Sequence, residues 1–389
     1  MAHVSRSYLV YGTSGWDAPW LTEQQLAAAL SRRHPVLYVE PPLSPITPFR
    51  YGLRSREVGQ PGVRALLRRR PRREGATGVF QPLALPPLEN PRARRASAPL
   101  MRAQLSLALR RQDLTRPVTV SGRFHEGTFG LAGESARVYL VKDWVQAGAE
   151  LIGQSRASID AAVRWMCDQA DLVCAISQPL QKALAEWGVA AELLPHGFDA
   201  ELASAFDGVR EPPELRELPR PLLGFTGRID GRLDFQLLDV LAAEIAGTIV
   251  LIGPRSPLLS AGDLELVRRR ENIVLLGVRS REQLPAYLAH LDLCLLPYRE
   301  GEWGRYGSPL KLWEYLYAGP PIVGTGYEVL RDYPPPLVTY ASGFDELLGA
   351  VRESLASEGG RDQRRAFALA NTWDDRAEAL DRLVAPLTG

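Results

Sequence analysis

Cysteine, lysine and long apolar runs are scarce in this 389-residue chain. The three cysteines, Cys167, Cys174 and Cys294, lack the spacing of a metal site and lie in or beside apolar segments. They read as buried core thiols in a reducing compartment, which excludes a disulfide framework. The opening "MAHVSRSYLVYG" holds too short an apolar run for a secretion signal, and no stretch approaches the ~20 apolar residues of a membrane-spanning helix. A cytoplasmic protein is expected. What remains is an ordinary globular composition, 46% hydrophobic and 8% aromatic, in a chain long enough for two or three domains, each with its own core.

Charge is sparse in total and uneven in placement. The net charge is +1, yet from Arg50 to Arg116 there are 16 arginines against Glu57, Glu74, Glu89 and Asp113. That local charge of +12 leaves −11 for the rest of the chain. The clusters Arg68-Arg69-Arg70 and Arg92/Arg94/Arg95 have two readings. One is a basic surface for anionic membrane lipid or an anionic acceptor. The other is a solvated face in a chain whose only lysines are Lys142, Lys182 and Lys311. Aromatic residues are not interleaved with these arginines, so nucleic acid is not an expected partner.

Two series of alternating strands and helices can be read. The first runs through "YLVYG" from Tyr8, a helix from Thr22 to Arg32, and "PVLYVEP" from Pro35. After a proline- and arginine-rich stretch come "VFQPLAL" from Val79, "PVTVSG" from Pro117, "RVYLVKD" from Arg137 and "ADLVCAIS" from Ala170. The last two segments are separated by a helix from about Ser158, and a second helix, from Pro179 to Trp187, precedes "AELLPHGFD". The linker "GVREPPELRELPRP" follows, its prolines and charges marking a boundary. The second series holds "PLLGFTG" from Pro221, a helix from Asp234, "TIVLIGP", "NIVLLGV", a helix from Arg281, "LDLCLLPY" and "PPIVGTG". A terminal amphipathic helix begins near Thr372. Short continuous apolar strands suit parallel sheets covered on both faces. The expected fold is therefore α/β: two doubly wound Rossmann-like domains, residues 1–205 and 220–370, joined by a linker over 206–219 and facing a cleft. The helix of 371–389 is expected to cross back to the first domain.

The segment "SPLKLWEYLYAGPPIV" from Ser308 carries firm punctuation. Ser308 suits an N-cap, Pro309 the first helical position, and Gly319 the C-terminal stop. Ser308, Lys311, Glu314 and Ala318 fall in one lane of an otherwise apolar helix, so that lane faces something polar. A lysine in the first turn opposes the helix field unless an anion sits there, and phosphate is the obvious anion. Two further features point the same way. "GFTGRIDGRLD" offers a strand, Gly227 for close backbone approach, and Arg228 and Arg232 for phosphate oxygens. Gly307, before Ser308, leaves room for backbone N–H groups to meet an oxyanion. In a doubly wound sheet all of these lie at the carboxyl ends of strands.

With "PHGFD" from Pro195, "TGRID" from Thr226, "ADLVCAISQPL" and Trp373 at the start of the final helix, the arrangement resembles the GT-B glycosyltransferases. It is most similar to the family-4 type that use nucleotide-diphosphate sugars, in a teichuronic-acid-type branch. The resemblance covers nearly the whole chain and implies an enzyme, a nucleotide-sugar-dependent glycosyltransferase. It implies that Glu314 binds the ribose hydroxyls, that Arg228 and Arg232 meet the diphosphate with Lys311, Ser308 and Leu310, and that Gly277 and Val278 hold the base by main-chain contacts. Gly12 to Gly15 match the turn that approaches the phosphates from the first domain, with Asp17 and Trp16 where the acceptor enters. No cofactor is expected beyond the donor itself. The partners are that donor and a small-molecule or lipid-linked acceptor, with peripheral contact to an anionic membrane.

The family's first glutamate, eight positions before the second, is replaced by Tyr306. Glu302 or Glu300 can substitute, the donor can be a deoxysugar, or the chain can be a catalytically inactive nucleotide-sugar-binding homologue or partner subunit. The chain has no Asp-x-Asp motif, so metal-independent transfer is expected, with Arg228 and Lys311 stabilising the leaving diphosphate. Retention of configuration follows from the resemblance alone. His125 and Asp17 are the remaining catalytic candidates; a surface or structural histidine is the competing reading of His125 and of His196, as core packing is for Trp16 and Trp20. A nicotinamide-dependent oxidoreductase requires a Gly-x-Gly-x-x-Gly turn, which "GTSG" at Gly12 does not supply.

Overall fold

The computed structural model describes residues 6–44, 71–85, 91–124, 127–149, 154–357 and 359–388. The chain forms two compact units: Met1–Ile176, Leu180–Pro195 and Asp374–Gly389 in the first, Ser177–Pro179 and His196–Trp373 in the second.

The first unit is built on eight strands: β1 (Tyr8–Tyr11), β2 (Val36–Val39), β3 (Arg72–Glu74), β4 (Thr77–Phe80), β5 (Val118–Ser121), β6 (Ala136–Val141), β7 (Leu172–Ala175) and β8 (Glu192–Leu193). Their order is β3-β4-β2-β1-β5-β6-β7-β8. Every pairing is parallel except β3 with β4. Tyr8 lies opposite both Val36 and Val118, so the order reverses beside β1, and the turn after β1 opens at the switch point. β1, β2, β4 and β5 are buried at every position, the reason their residues are apolar or small, with no charge among them. The helices are α1 (Thr22–Ser31), α2 (Pro91–Arg111), α3 (Arg156–Gln169) and α4 (Gln178–Glu186).

The second unit carries β9 (Leu222–Thr226), β10 (Thr248–Ile252), β11 (Ile273–Gly277), β12 (Leu293–Pro297), β13 (Ile322–Thr325) and β14 (Thr339–Tyr340). This sheet is wholly parallel, in the order β11-β10-β9-β12-β13-β14. Here the reversal falls between β9 and β12. Around it stand α5 (Pro213–Arg216), α6 (Phe235–Glu244), α7 (Ala261–Arg268), α8 (Leu284–Ala289), α9 (Glu302–Tyr306), α10 (Lys311–Ala318), α11 (Gly343–Ala356) and α12 (Arg361–Leu369). The last helix, α13 (Trp373–Val384), starts in the second unit and belongs to the first from Asp374 onward. Asp381 on it accepts hydrogen bonds from Tyr8 (2.6 Å) and Arg6 (2.9 Å), and Asp374 pairs with Arg32.

One local expectation needs correction, and two helices add to the sequence reading. Between β4 and β5 stands α2, 21 residues long with Pro99 inside it. Alanine, arginine, leucine, methionine and glutamine, all good helix formers, make up most of it, and burial of Met101, Leu105 and Leu109 against β1, β2 and β4 holds it in spite of Pro99. The linker segment contains the short α5. The helix expected from Ser308 begins at Lys311, after an uncapped Leu310 that is already helical (φ −53°). Pro309 and Leu310 accept from Leu312 and Trp313 in a tight turn (3.1 and 3.2 Å), so Ser308 is displaced from the capping position. Gly319 does close the helix, at φ +93°. All three cysteines are buried and free. Among the described residues, no helix is long and apolar enough to cross a membrane.

Candidate nucleotide-diphosphate site

The second unit gathers its cations where β9 ends. Tyr315, buried on α10, anchors that end by accepting the Thr226 N–H at 2.7 Å. Gly227 follows at φ +129°, and a Cβ there would lie 2.8 Å from Lys311 Cε and 2.9 Å from its Nζ. The glycine thus serves twice, as a backbone conformer L-residues avoid and as the space the lysine occupies. Lys311 Nζ lies 4.6 Å from the Phe225 ring centre and 5.1 Å from that of Tyr298, and donates to the Tyr298 hydroxyl. Burial, reinforced by the Arg232 guanidinium, pushes the ammonium down to about 7, against the pull of Glu314 and Asp230. A desolvated amine beside a second cation gains most when an anion arrives.

Arg232 does not point freely at a ligand. It chelates Asp230 (2.8 and 3.0 Å), and this pairing holds its pKa above the ordinary value against the cost of burial. Arg228 is exposed and, among the described residues, makes no ion pair or hydrogen bond. Of the two arginines expected at the phosphates, Arg228 is the available one.

The start of α10 adds backbone donors. Ser308 caps nothing, and among the described residues the N–H groups of Ser308, Leu310 and Lys311 carry no hydrogen bond. Gly307 is needed for packing: a Cβ there would meet Tyr327 Cε1 at 2.7 Å. One turn into the helix, Glu314 accepts no hydrogen bond among the described residues. Burial raises its pKa, Arg281 and then Lys311 lower it, and Asp199 raises it. Arg281 is tied to Asp199, which also accepts from the Glu201 N–H at 3.1 Å. A half-buried carboxylate without donors is suited to accept two from a ligand's vicinal hydroxyls.

Gly277 takes φ +74°, and Val278 is 66% exposed. Arg279 steadies this turn by donating to Tyr287 Oη (2.6 Å), the Leu276 carbonyl (2.6 Å) and Glu214 (2.9 Å). Glu214 is held well below the usual carboxylate range, first by the Tyr287 hydroxyl. Sequence reasoning missed Arg279 and Arg281, the two arginines of the loop after β11, because nothing local ranks them.

In the first unit, the Gly12–Gly15 turn sits on a buried polar network. A Cβ at Gly12 would overlap the Tyr38 hydroxyl (1.7 Å), which donates to the Ser14 carbonyl at 2.8 Å. Arg123, 4% exposed, donates to the Gly12 carbonyl at 2.7 Å. Lys142 bridges Thr13 (2.6 Å) and the fully buried Glu23 (2.6 Å). The Gly15 carbonyl accepts from Gln24 at 3.0 Å, and Glu40 takes the Trp16 N–H at 2.7 Å. Trp16 is buried against Trp20 and Tyr38, so core packing describes it. Asp17 is exposed and paired with Arg72 at 3.2 Å. His196 is buried against Trp373. His125 lies outside the described residues.

Comparison with known proteins bears on the fold and on the second unit. Residues 220–355 match the family model for Glycosyl transferases group 1. The "Putative teichuronic acid biosynthesis glycosyltransferase TuaH" of Bacillus subtilis (strain 168) is 27% identical over 186 residues, 46% of this chain and 47% of that protein. The chain thus spans about half the length of this curated relative. Sucrose-phosphate synthase from Thermosynechococcus elongatus superposes with a TM-score of 0.69 at 15% identity, over 98% of this chain and 99% of that one. Anabaena Alr3699/HepE, in complex with UDP and glucose, gives 0.63 at 15% identity, over 98% and 100%. The chain has the GT-B fold of these structures, and its residues 220–355 are similar to the group 1 glycosyltransferases.

Proposed function

We propose that this protein transfers a sugar from a nucleotide-diphosphate donor to an acceptor, with retention of configuration and without a metal ion. The observation that carries the reading is the constellation on α10: Lys311 seated against Gly227, unengaged N–H groups at the helix start, and Glu314 one turn further on. Displacing a nucleoside diphosphate from an anomeric carbon needs stabilisation of the departing charge. Lys311, Arg228 and the helix-start N–H groups supply positive potential held in place before the reaction. Glu314 holds the ribose, and the Gly277–Val278 backbone faces the base. The leaving phosphate oxygen then takes the acceptor's proton as the new glycosidic bond forms, so no separate base is needed.

The acceptor we favour is an anionic or lipid-linked saccharide precursor. The +12 charge between Arg50 and Arg116 supports this, as does the relative named for teichuronic acid biosynthesis. UDP is the first nucleotide to test, since HepE is seen with UDP. The test is calorimetric titration with UDP, GDP, dTDP and ADP, with and without magnesium, on wild type and Glu314→Ala. Saturable binding of one nucleotide, unaffected by magnesium and lost in the variant, is expected; no binding by any of the four overturns the reading.

One observation favours a second reading, a binding homologue without turnover. Tyr306 ends α9 where the family places its first glutamate, and its carbonyl accepts from Ser177 at 2.7 Å. Glu302, one turn earlier on α9, is the nearest replacement carboxylate in sequence. Nucleotide binding with no hydrolysis of any sugar donor would select this reading.

A further inference from the structure

Helix α2 is apolar on two sides. Its inner side, Met101, Leu105 and Leu109, is buried in the first unit's core. Its outer side is a lane of Ala96, Leu100, Ala103 and Leu107, residues at helical spacing that all face solvent. Leu100 is 40% and Leu107 49% exposed. The Gln104 amide binds the Leu83 N–H (3.0 Å) and carbonyl (2.9 Å), which keeps the segment bearing the 53%-exposed Leu85 against the same helix. The lane is bounded by exposed arginines, Arg92 at one end and Arg110 and Arg111 at the other. None of these three makes an ion pair among the described residues, and no carboxylate occurs anywhere in Pro91–Arg111.

From this lane we infer that α2 docks the first unit on the surface of an anionic lipid bilayer. Leu100 and Leu107 enter the headgroup–acyl boundary, while Arg92, Arg110 and Arg111 meet lipid phosphates. Charge complementarity selects this occupant. A second copy would set the same arginines against themselves. Nucleic acid would demand stacking surfaces, and the lane has no aromatic side chain. A protein that merely needs solubility gains nothing from two leucines on the solvent side of a cationic helix. Docking there would hold the catalyst beside a membrane-borne acceptor; that consequence rests on the transferase reading, whereas the docking itself does not.

The experiment is vesicle co-sedimentation with full-length protein. Wild type is compared with Leu100→Gln/Leu107→Gln and with Arg92→Gln/Arg110→Gln/Arg111→Gln, each checked for native circular dichroism. Vesicles are phosphatidylcholine alone or an equimolar mixture with phosphatidylglycerol. Wild type should bind the anionic vesicles and not the neutral ones, with affinity falling as salt rises. Each arginine removed should cost roughly five-fold, so the triple variant should bind roughly a hundredfold more weakly. The leucine pair should lose affinity at every salt concentration. Failure of wild type to bind, equal binding to neutral vesicles, or undiminished binding by both folded variants overturns the proposal. So does loss of vesicle binding to a DNA or acidic-peptide competitor present below the lipid phosphate concentration. UDP titration of the same preparations reports on the nucleotide reading separately.

Discussion

Lys311 Nζ stands 2.9 Å from the point where residue 227 would carry a Cβ if it were not glycine. The strand-end loop and the helix start are therefore one structural object. A change on either is felt by the other.

Gly227→Ala should both strain the backbone at φ +129° and push the lysine away. Adverse φ alone costs about 1–3 kcal/mol, so the melting temperature should fall by several degrees and nucleotide affinity by tenfold or more. Differential scanning fluorimetry with calorimetry checks both, and an unchanged affinity would show that Lys311 is not placed by this contact.

Nucleotide binding should take up a proton near pH 8. In the free protein the Lys311 ammonium titrates at about 7, and a bound diphosphate draws it back toward the ordinary lysine range of about 10.4. Calorimetry at pH 8 in buffers of different ionisation enthalpy measures the uptake, which Lys311→Met should abolish. The stability sign follows the same shift. Between pH 7 and about 10 the unfolded chain holds this proton and the folded chain does not, so this lysine's contribution to stability declines as pH falls through that window.

Arg281→Met should make nucleotide affinity acid-sensitive. Arg281 is the leading influence holding the Glu314 pKa down, with Lys311 second and Asp199 opposing. Without it the carboxyl protonates at higher pH, so affinity should fall further at pH 6 than at pH 8. A role confined to the Asp199 pairing would lower affinity equally at both, which titrations at the two pH values distinguish.

Lys142→Met should be more destabilising than Glu23→Gln/Lys142→Met. The single change leaves an ionised Glu23 buried and unpaired, a cost of about 3–5 kcal/mol, whereas the double change removes both charges. Urea unfolding of both variants gives the comparison; equal destabilisation would mean that the Lys142–Glu23 pair contributes little beyond its packing.

Much of the second unit was legible because its four central strands, β9, β10, β12 and β13, are buried on both faces and its candidate site gathers glycine, proline and basic residues in close sequence. Lys311, Glu314, Gly227 and Gly319 could each be read from a few neighbours. Arg232 was legible as a candidate phosphate ligand, but not its capture by Asp230, because a chelate depends on side-chain rotamers. In the first unit Arg123, Glu23 and Lys142 went unread. They come from three distant segments, and nothing in "SGRF" or "LVKD" reveals that both cations converge on one glycine turn.

The sequence by itself determined that there are two sheets, that both are parallel in the main, and that a lysine and a glutamate share the polar lane of the helix after "GSPL". Those outcomes depend on local steric rules and hydrophobic periodicity, which act within a dozen residues. Only the tertiary structure decided that Lys311 is desolvated, that Arg228 rather than Arg232 is free, and that a proline-broken, arginine-rich stretch folds as a helix with leucines on both sides. Those depend on side-chain rotamers and on what packs against each group from other segments of the chain, where burial and the nearest charge set the free energy.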